Sequence, residues 1–407
     1  MNILVFTSLF PNNQSPNHGI FIQQRLQHSM VQHGWNVKVM APVPYYPRGL
    51  GGWRAKYRKV VYHETCAGME VWHPRYVMIP KIGMIFQGLF LFLSVWWQVR
   101  VLQRAFPFDL IDAHYVYPDG FAAILLGWVT RVPVVVSVRG SDVNVFKDIP
   151  IIRQLIIWTL RKADSVIVVS EALKQVSMRL GVHEEKIRVI PNGVDPEKFF
   201  SIPQEEARKK IGFIGDGQSL ILSVCHLTEN KGLDVLLEGL ALLSEKTPTL
   251  NWSLYIVGDG VERERLEFLA QSLGLASRVR FCGPVPHMQL VWFYNAADVC
   301  CLLSEREGWP NVIVESLACG TPVLATSVGG IPEIITSPKV GTLVPRKPEH
   351  VAKALKASLA CTWSKPEILN YAQQFRWSQT AGAVKEVFQS LLPIQSTTNG
   401  VPFPSGS

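Results

Sequence analysis

Two glutamates stand eight positions apart in the stretch SEREGWPNVIVESLACGTPVL, residues 304–324. Glu307 follows an apolar, strand-like segment, and Glu315 falls inside an apolar segment of helical character. A carboxylate among aliphatic side chains is costly to bury unless it is hydrogen-bonded. An ionised carboxylate can accept hydrogen bonds from two neighbouring hydroxyls, so a diol would satisfy it. The pair therefore indicates a site for a ligand rich in hydroxyls, and the alternative is a surface helix with a glutamate on its wet face.

Two further features predict that an anion binds beside these glutamates. The first backbone N–H groups of the helix, at residues 309–312, have no partner within the helix and would face the ligand. A second candidate lies in LILSVCHLTENKGLDVLLEGL, residues 220–240, where Lys231 and Gly232 connect a strand to an amphipathic helix. A lysine at that position can meet a phosphate as a point charge, aided by the helix N-terminus. Together these features favour a ligand that carries both hydroxyls and phosphates.

The elements that must position these groups alternate along the whole chain. Near-continuous Val, Ile and Leu runs predict strands covered on both faces, and the helical stretches between them predict βαβ units with parallel sheets. A Pro-, Asn- and Gly-rich stretch at 190–203 separates two such series, so we expect two Rossmann-like domains with a ligand cleft between them. The strand-like segments are 2–8, 35–42, 108–114, 132–140, 163–170, 219–227, 250–258, 279–284, 297–304 and 321–328.

Composition is that of a well-buried globular protein. The chain has 407 residues, 48% apolar and 18% charged, enough for more than one hydrophobic core. Its seven cysteines form no C-x-x-C pair and no metal-type spacing with histidine, which predicts free thiols in a reducing compartment. The first residues, MNILVFTSLFPNN, lack the basic segment and cleavage site of a signal peptide. We therefore expect a cytoplasmic protein.

The net charge of +8 is concentrated in the N-terminal half. Residues 1–196 hold 21 Lys and Arg against 12 Asp and Glu, and the densest cluster is RGLGGWRAKYRKVVYH at 48–63. An uncharged run of 18 residues follows at 82–99. We interpret this run as a buried or partly buried helix, with a helix in a membrane interface as the main alternative and a membrane-spanning helix as the least favoured. The basic, aromatic neighbourhood favours an anionic membrane surface over nucleic acid.

With these motifs the chain resembles the retaining glycosyltransferases of family 4, which have the α/β GT-B fold of two Rossmann-like domains facing a deep cleft. The most specific motif is EREGWPNVIVESLACGTPVLATSVGGIPEII at 305–335. The resemblance extends over most of the chain, through HGIFIQQRL (18–26), HYVYPDGFAA (114–123), VRGSDVN (138–144), VSEALKQ (169–175), VIPNGVDPEKF (189–199), NKGLDVLLEGL (230–240) and VGDG (257–260).

The resemblance implies a role for each matching position. It implies that Glu307 binds hydroxyls of the donor sugar near the reacting carbon, that Glu315 holds the nucleotide ribose, and that His114 lies near the donor sugar and acceptor. It further implies backbone contacts to sugar and phosphate from Gly308, Trp309, Pro310 and Asn311, diphosphate binding by Lys231, and acceptor binding or domain closure by Gly19, Arg139 and Asp142.

One position departs from the family pattern. The family usually has an arginine that partners the diphosphate-binding lysine, and here that position is His226. Arginine is permanently charged and bidentate, whereas a histidine is charged only when protonated. We expect the phosphates of a bound donor to favour the protonated imidazole, so that the contribution of His226 falls as the pH rises. The alternative is that His226 only packs in the loop and Lys231 acts alone.

The expected function is transfer of a sugar, with retention of configuration, from a nucleotide-diphosphate sugar to a glycan or lipid-linked acceptor at the inner face of the cell membrane. The expected domains are 1–190 for the acceptor and 191–374 for the nucleotide-sugar. Residues 375–392 would return to the first domain, and 393–407 would be disordered. Neither metal nor cofactor is expected, because there is no D-x-D, P-loop or G-x-G-x-x-G motif. The alternatives are a non-catalytic binding subunit of the same fold and a sugar-nucleotide epimerase.

Overall fold

Two large β-sheets, one from each half of the chain, form the framework of the protein. The structure is a computed structural model, and it describes residues 1–46, 55–78, 81–144, 149–215 and 217–392. Within these residues each large sheet is flanked by helices, and a third, two-stranded sheet lies beside the first.

The N-terminal sheet has eight strands in the order β10-β9-β8-β7-β1-β2-β5-β4, and β3 pairs with β6 in the small sheet. All neighbours run parallel except β4, which is antiparallel to β5. The central strands are buried along nearly their whole length because helices cover both faces. The strands are β1 (Asn2–Phe6), β2 (Asn36–Met40), β3 (Val43–Tyr45), β4 (His63–Cys66), β5 (Met69–Trp72), β6 (Arg75–Val77), β7 (Leu110–His114), β8 (Val134–Val138), β9 (Ser165–Val168) and β10 (Ile187–Val189).

The helices of this half begin and end at recognisable signals. Ser170 caps α7, its Oγ accepting the Leu173 N–H at 3.3 Å. Gly34 ends α1 in the left-handed conformation and donates its N–H to the Met30 carbonyl. The helices are α1 (Ile20–His33), α2 (Ala55–Arg58), α3 (Gln87–Ala105), α4 (Phe121–Thr130), α5 (Ser141–Asn144), α6 (Pro150–Lys162) and α7 (Glu171–Arg179).

The C-terminal sheet has six parallel strands in the order β13-β12-β11-β14-β15-β16. Its strands are β11 (Ser219–Val224), β12 (Trp252–Val257), β13 (Val279–Gly283), β14 (Val299–Leu302), β15 (Val323–Thr326) and β16 (Gly341–Val344). The helices are α8 (Gln204–Lys210), α9 (Leu233–Lys246), α10 (Arg263–Ser272), α11 (Leu290–Ala296), α12 (Asn311–Ala318), α13 (Ile331–Ile334), α14 (Pro348–Ala360), α15 (Lys365–Ala372) and α16 (Trp377–Leu391).

Each of the ten strand-like segments of the sequence contains an observed strand, and the parallel pairing agrees with the prediction. The apolar runs do not identify the short strands β3 to β6, β10 and β16. These strands have three or four residues, and several of their side chains are exposed or half-buried. A run that short and that mixed in polarity carries little periodic signal.

The uncharged run 82–99 forms most of α3. The helix packs one face, with Leu91, Val95 and Val99, against the N-terminal core, and its other face is exposed. The helical region Gly83–Ala105 is long and apolar enough to cross a bilayer by length and composition, and 22% of an 18-residue stretch within it is buried in the protein. Residues 48–54 of the basic cluster at 48–63 lie outside the described residues, and so does the tail at 393–407.

The last helix, α16, packs against α1 of the N-terminal half. Its Trp377, Val384 and Phe388 are buried, and Phe388 stacks on Trp35 with ring centroids 5.3 Å apart. The last two of these residues share a core with Ile3 and Leu26. The chain therefore crosses back from the second sheet to the first, and α16 stabilises the N-terminal half by apolar burial.

Replacing Phe388 by alanine removes a fully buried ring from this contact. We expect Phe388→Ala to lower the free energy of unfolding by about 3–5 kcal/mol, the usual cost of a Phe→Ala cavity in a core. Urea denaturation followed by circular dichroism measures it. The neighbouring exposed residue provides the control, since Gln389→Ala should change stability by less than about 0.5 kcal/mol. Equal stability of the two variants would contradict the packing of α16.

Candidate active site

A cavity of about 470 Å³ lies between the two sheets, where the carboxyl ends of their strands face each other. Ligands of open α/β sheets bind at this edge because the loops that follow the strands converge there. One wall consists of residues 17–21, Arg139, Val169 and Asn192. The other consists of residues 224–226, Lys231, residues 257–259, Pro284, Val285, His287, Leu290, Glu307, residues 309–312 and Glu315.

Glu315 reaches this cavity from inside α12 and is only 5% exposed. Its burial is stabilised by two protein partners: His287 Nε2 lies 2.8 Å from Oε1, and the Tyr294 hydroxyl donates to Oε2 at 2.9 Å. Burial, reinforced by the Glu315 charge, raises the pKa of Tyr294 well above its usual value, so this tyrosine stays a donor. Each carboxylate oxygen has a second acceptor position, so Glu315 retains capacity for a ligand diol.

Glu307 lies in the loop after β14 and accepts two short hydrogen bonds on one oxygen. Lys231 Nζ and Ser304 Oγ both lie 2.6 Å from Oε1. No described residue hydrogen-bonds Oε2 of Glu307. Lys231 ends a 3-10 turn, Glu229–Lys231, just before α9. The two groups predicted to hold sugar and diphosphate are therefore in contact, and in this conformation the charge of Lys231 is matched by Glu307.

The loop from Gly308 to Asn311 leads into α12 but contributes fewer N–H donors than predicted. Proline has no backbone N–H, so Pro310 at the N-cap cannot donate, and the expectation of a donor at that position is wrong. The Trp309 side chain turns away from solvent and packs edge-on against Phe375, with ring centroids 5.9 Å apart. Backbone donation to a ligand from this turn therefore comes from Gly308, Trp309, Asn311 and Val312.

Gly19 belongs to the opposite wall and precedes α1. Its φ of +65° is left-handed, and a Cβ there would lie 2.3 Å from the Leu9 carbonyl oxygen, so only glycine fits. Its neighbour Asn17 donates from Nδ2 to the Val285 carbonyl at 3.3 Å, which joins this loop to the C-terminal half. His226 also lines the cavity, with its Nδ1 3.4 Å from the Asp259 carbonyl oxygen.

His114 is fully buried at the end of β7 and does not line the cavity among the described residues. Arg139 Nη2 lies 2.6 Å from its Nδ1, and Arg25 Nη2 and Asp112 Oδ2 lie 3.1 Å and 3.2 Å from its Nε2. Burial is the main cause that lowers the pKa of His114 to about 3, so the ring is neutral. Both ring nitrogens contact protein groups, and in this conformation His114 orients Arg139. A direct contact of His114 with donor or acceptor stays a prediction.

Arg139 itself faces the cavity. It donates to Asn192 Oδ1 at 3.0 Å, and Asn192 in turn donates to Asn311 at the start of α12 at 3.1 Å. Burial lowers the pKa of Arg139 to about 9, which leaves it charged at neutral pH. A continuous chain of polar side chains thus runs from His114 to the first turn of α12.

Asp142 does not line the cavity among the described residues. Its carboxylate accepts backbone N–H groups of Val116 at 3.0 Å, Arg139 at 3.1 Å and Gly140 at 2.8 Å. Burial raises its pKa, and these hydrogen bonds oppose the shift. Asp142 therefore fixes the turn that carries Arg139, and its predicted contact with an acceptor is untested.

Sequence reasoning missed the partners that keep these residues in place. His287 and Tyr294 hold Glu315, and a buried contact between Arg25 and Asp112 sits beneath His114. Burial alone would raise the pKa of Asp112, but Arg25 and His114 hold it well below its usual range. One signal for this cluster exists: Asp112 and His114 are two residues apart at the end of a buried strand, so they share a face.

Comparison with known proteins bears on the whole chain. Residues 204–375 match the model for glycosyl transferases group 1, and residues 24–198 match that for glycosyltransferase family 4. The putative teichuronic acid biosynthesis glycosyltransferase TuaC of Bacillus subtilis is 26% identical over 96% of this chain and 99% of its own. The D-inositol 3-phosphate glycosyltransferase of Corynebacterium urealyticum is 31% identical over 75% of this chain and 77% of its own.

The fold has a close counterpart among solved structures. The crystal structure of Anabaena HepE in complex with UDP-glucose superposes with a TM-score of 0.71 over 96% of this chain and 99% of that one, at 20% identity. The two facing α/β domains are those of the GT-B fold. Taken with the matched models and relatives, they show that the chain belongs to glycosyltransferase family 4 and is a GT-B enzyme that transfers a sugar from a nucleotide-sugar.

Proposed function

We propose that the nucleotide-sugar lies along α12. The observation that carries this proposal is that Glu307, Lys231, Glu315 and the first turn of α12 all meet at one cavity. The ribose hydroxyls would donate hydrogen bonds to Glu315. The diphosphate would accept hydrogen bonds from the free backbone N–H groups at the start of the helix, and Glu307 would accept hydrogen bonds from hydroxyls of the sugar. The UDP-glucose bound in the Anabaena protein supports a uridine nucleotide as the first donor to test.

We further propose that residues 1–190 bind the acceptor and residues 191–374 bind the donor. The distribution of the sheets supports this division, because β1–β10 end at Val189 and β11 begins at Ser219. The packing of α16 against α1 supports the return of 375–392 to the N-terminal domain. The acceptor would then approach the sugar from the wall that carries Gly19 and Arg139.

The reaction would proceed with retention of configuration. The bond from the anomeric carbon to the diphosphate oxygen breaks, and the acceptor oxygen forms its bond on the same face. The acceptor proton passes to the leaving diphosphate oxygen, so the protein contributes positioning and charge stabilisation. No group of three His, Cys, Asp or Glu that could hold a metal is found in the described part of the chain. Lys231, His226 and residues 309–312 line the cavity, and we propose that they stabilise the leaving diphosphate.

The acceptor would be a glycan or a lipid-linked glycan, bound at an anionic membrane surface on the cytoplasmic side. The outer face of α3 supports this, because four large apolar side chains on it, and Phe86 just before it, are exposed: Leu89, Leu93, Trp97 and Val101. Arg100 and Arg104 lie on the same helix, which has no acidic residue. An apolar stripe with aromatic residues and a basic fringe is the pattern of a surface that enters lipid headgroups.

Glu315→Gln keeps the shape of the side chain but removes its charge. Charge-assisted hydrogen bonds are worth about 1.5–3 kcal/mol, so we expect nucleotide-sugar affinity to fall about 10- to 100-fold. Thermal-shift titrations with UDP-, GDP- and ADP-sugars, without added metal, measure this. Glu205→Gln on α8, outside the cavity, serves as the matched control. Unchanged affinity in Glu315→Gln would contradict the placement of the ribose.

His226 provides a prediction about donor affinity. The ring lines the cavity where the diphosphate would lie, and one hydrogen bond contributes about 0.5–1.5 kcal/mol, so His226→Ala should lower the donor affinity about three- to tenfold. Titration calorimetry with the nucleotide-sugar tests this. Equal affinities of wild type and His226→Ala would show that Lys231 acts without the histidine.

Trp97→Glu places a charge in the middle of the exposed stripe of α3, where the tryptophan is 59% exposed. We expect binding to vesicles of phosphatidylglycerol and phosphatidylcholine to fall at least about fivefold, because a carboxylate opposes both insertion and anionic headgroups. Co-sedimentation measures the bound fraction. Phe268→Glu on α10, where the ring is 72% exposed, is the matched control and should leave binding unchanged. Equal binding of both variants would contradict a role for α3.

A further inference from the structure

His18 projects into the active-site cavity from a rigid turn of the N-terminal domain. Asn12 and Ser15 form a short bridge within this loop, and the His18 N–H donates to the Ser15 carbonyl at 3.1 Å. Gly19 follows in its left-handed conformation, packed on the Leu9 carbonyl. The backbone on both sides of His18 is therefore fixed, and its side chain is exposed to the cleft.

The loop that carries His18 lies opposite His226. Asn17 hydrogen-bonds the Val285 carbonyl of the C-terminal domain, and His18 and His226 line the same cavity from its two walls. The pKa of His18 is lowered mainly because the surrounding walls of the cleft displace water from the ring, and the neighbouring Lys56 and His226 lower it further, while a hydrogen bond with the Ser8 backbone opposes the shift.

The charges of the cavity leave a diphosphate short of positive partners on the C-terminal wall. Lys231 is paired with Glu307 at 2.6 Å, so its charge is already matched. His226 stands where the family usually has an arginine. On the N-terminal wall, Arg139 is held by His114 and Asn192. A nucleoside diphosphate carries at least two negative charges. A further hydrogen-bond donor on the N-terminal wall would make the contact with the diphosphate that the family's arginine usually makes.

We propose that His18 binds the diphosphate of the nucleotide-sugar from the N-terminal wall, so that His18 and His226 hold it between them. This inference rests on the proposed position of the donor along α12. The two histidines together would replace the single arginine, and because they belong to different domains, the donor would also join the two walls of the cleft.

Binding of a diphosphate beside His18 should change the protonation of its ring. The groups that act on His18 are Lys56 on α2, His226 and the Ser8 backbone, and none of them is acidic. With a lowered pKa, His18 is neutral in the free enzyme at pH 7. The negative charge of a diphosphate next to it favours the protonated ring, so binding should take up a proton, and affinity should rise as the pH falls.

The test compares wild type with His18→Gln, in which a polar amide that cannot be protonated replaces the imidazole. UDP, GDP and ADP are titrated by calorimetry at pH 7 in two buffers of different ionisation enthalpy, which gives both the affinity and the proton uptake. Uridine, guanosine and adenosine, measured by displacement, report binding without the diphosphate. His183→Gln, an exposed histidine after α7 and outside the cavity, is the matched control. Thermal unfolding confirms that all three proteins are folded.

For the diphosphate that binds wild type most tightly, His18→Gln should lower the affinity about tenfold and remove most of the proton uptake. The affinity for the matching nucleoside should change by less than about threefold, and His183→Gln should behave as wild type. Undiminished diphosphate affinity in His18→Gln would overturn the role of His18 and leave the donor site intact, as would equal losses for diphosphate and nucleoside. If none of the three diphosphates binds wild type, the donor position is itself wrong, and this inference fails with it.

Discussion

The close approach of two glycines at the base of the cleft determines the arrangement of the active site. A Cβ on Gly308 would lie 2.2 Å from the Arg139 carbonyl oxygen, and one on Gly140 would lie 2.8 Å from the Gly308 Cα. No side chain fits at either position, so the two domains touch backbone to backbone beside Glu307. This contact brings Arg139 close to the loop that carries Glu307, and the proposed binding of one donor by both walls requires that proximity.

Both walls use buried charges, and they stabilise them in different ways. On the N-terminal wall Arg25 and Asp112 are in direct contact beneath His114. The neutral ring of His114 contacts Asp112 on one side and Arg139 on the other, and it thereby orients Arg139. On the C-terminal wall the buried carboxylate of Glu315 has a ring nitrogen of His287 and the hydroxyl of Tyr294 as its partners. Since removing one partner of a buried charge is costly, each cluster fixes its members in one geometry. That rigidity suits a site that must align two substrates.

Much of this site could be predicted from the sequence, because the α/β topology brings loops after parallel strands to one edge. Glu307 and Lys231 are 76 residues apart in the chain and yet meet, since β11 and β14 are neighbours in the sheet. The partners of Glu315 could not be predicted. His287 and Tyr294 lie before and within α11, and only the packing of α11 against α12 brings them to the carboxylate. The burial of His114 was equally hidden, because it depends on the side chains of Arg25 and Arg139.

The ion pair of Lys231 and Glu307 connects the free enzyme to its proposed reaction. Both groups are assigned to the donor, and in the free cavity each satisfies the other at 2.6 Å. The side chains of Lys231 and Glu307 are only 22% and 11% exposed, so an unmatched charge on either would be costly, and the pair stabilises the empty site. When a diphosphate enters, Lys231 gains a more highly charged neighbour, and Glu307 can turn its acceptor positions toward the sugar hydroxyls. The same two residues can therefore maintain the empty site and recognise the donor, with the phosphate acting as the switch between the two sets of contacts.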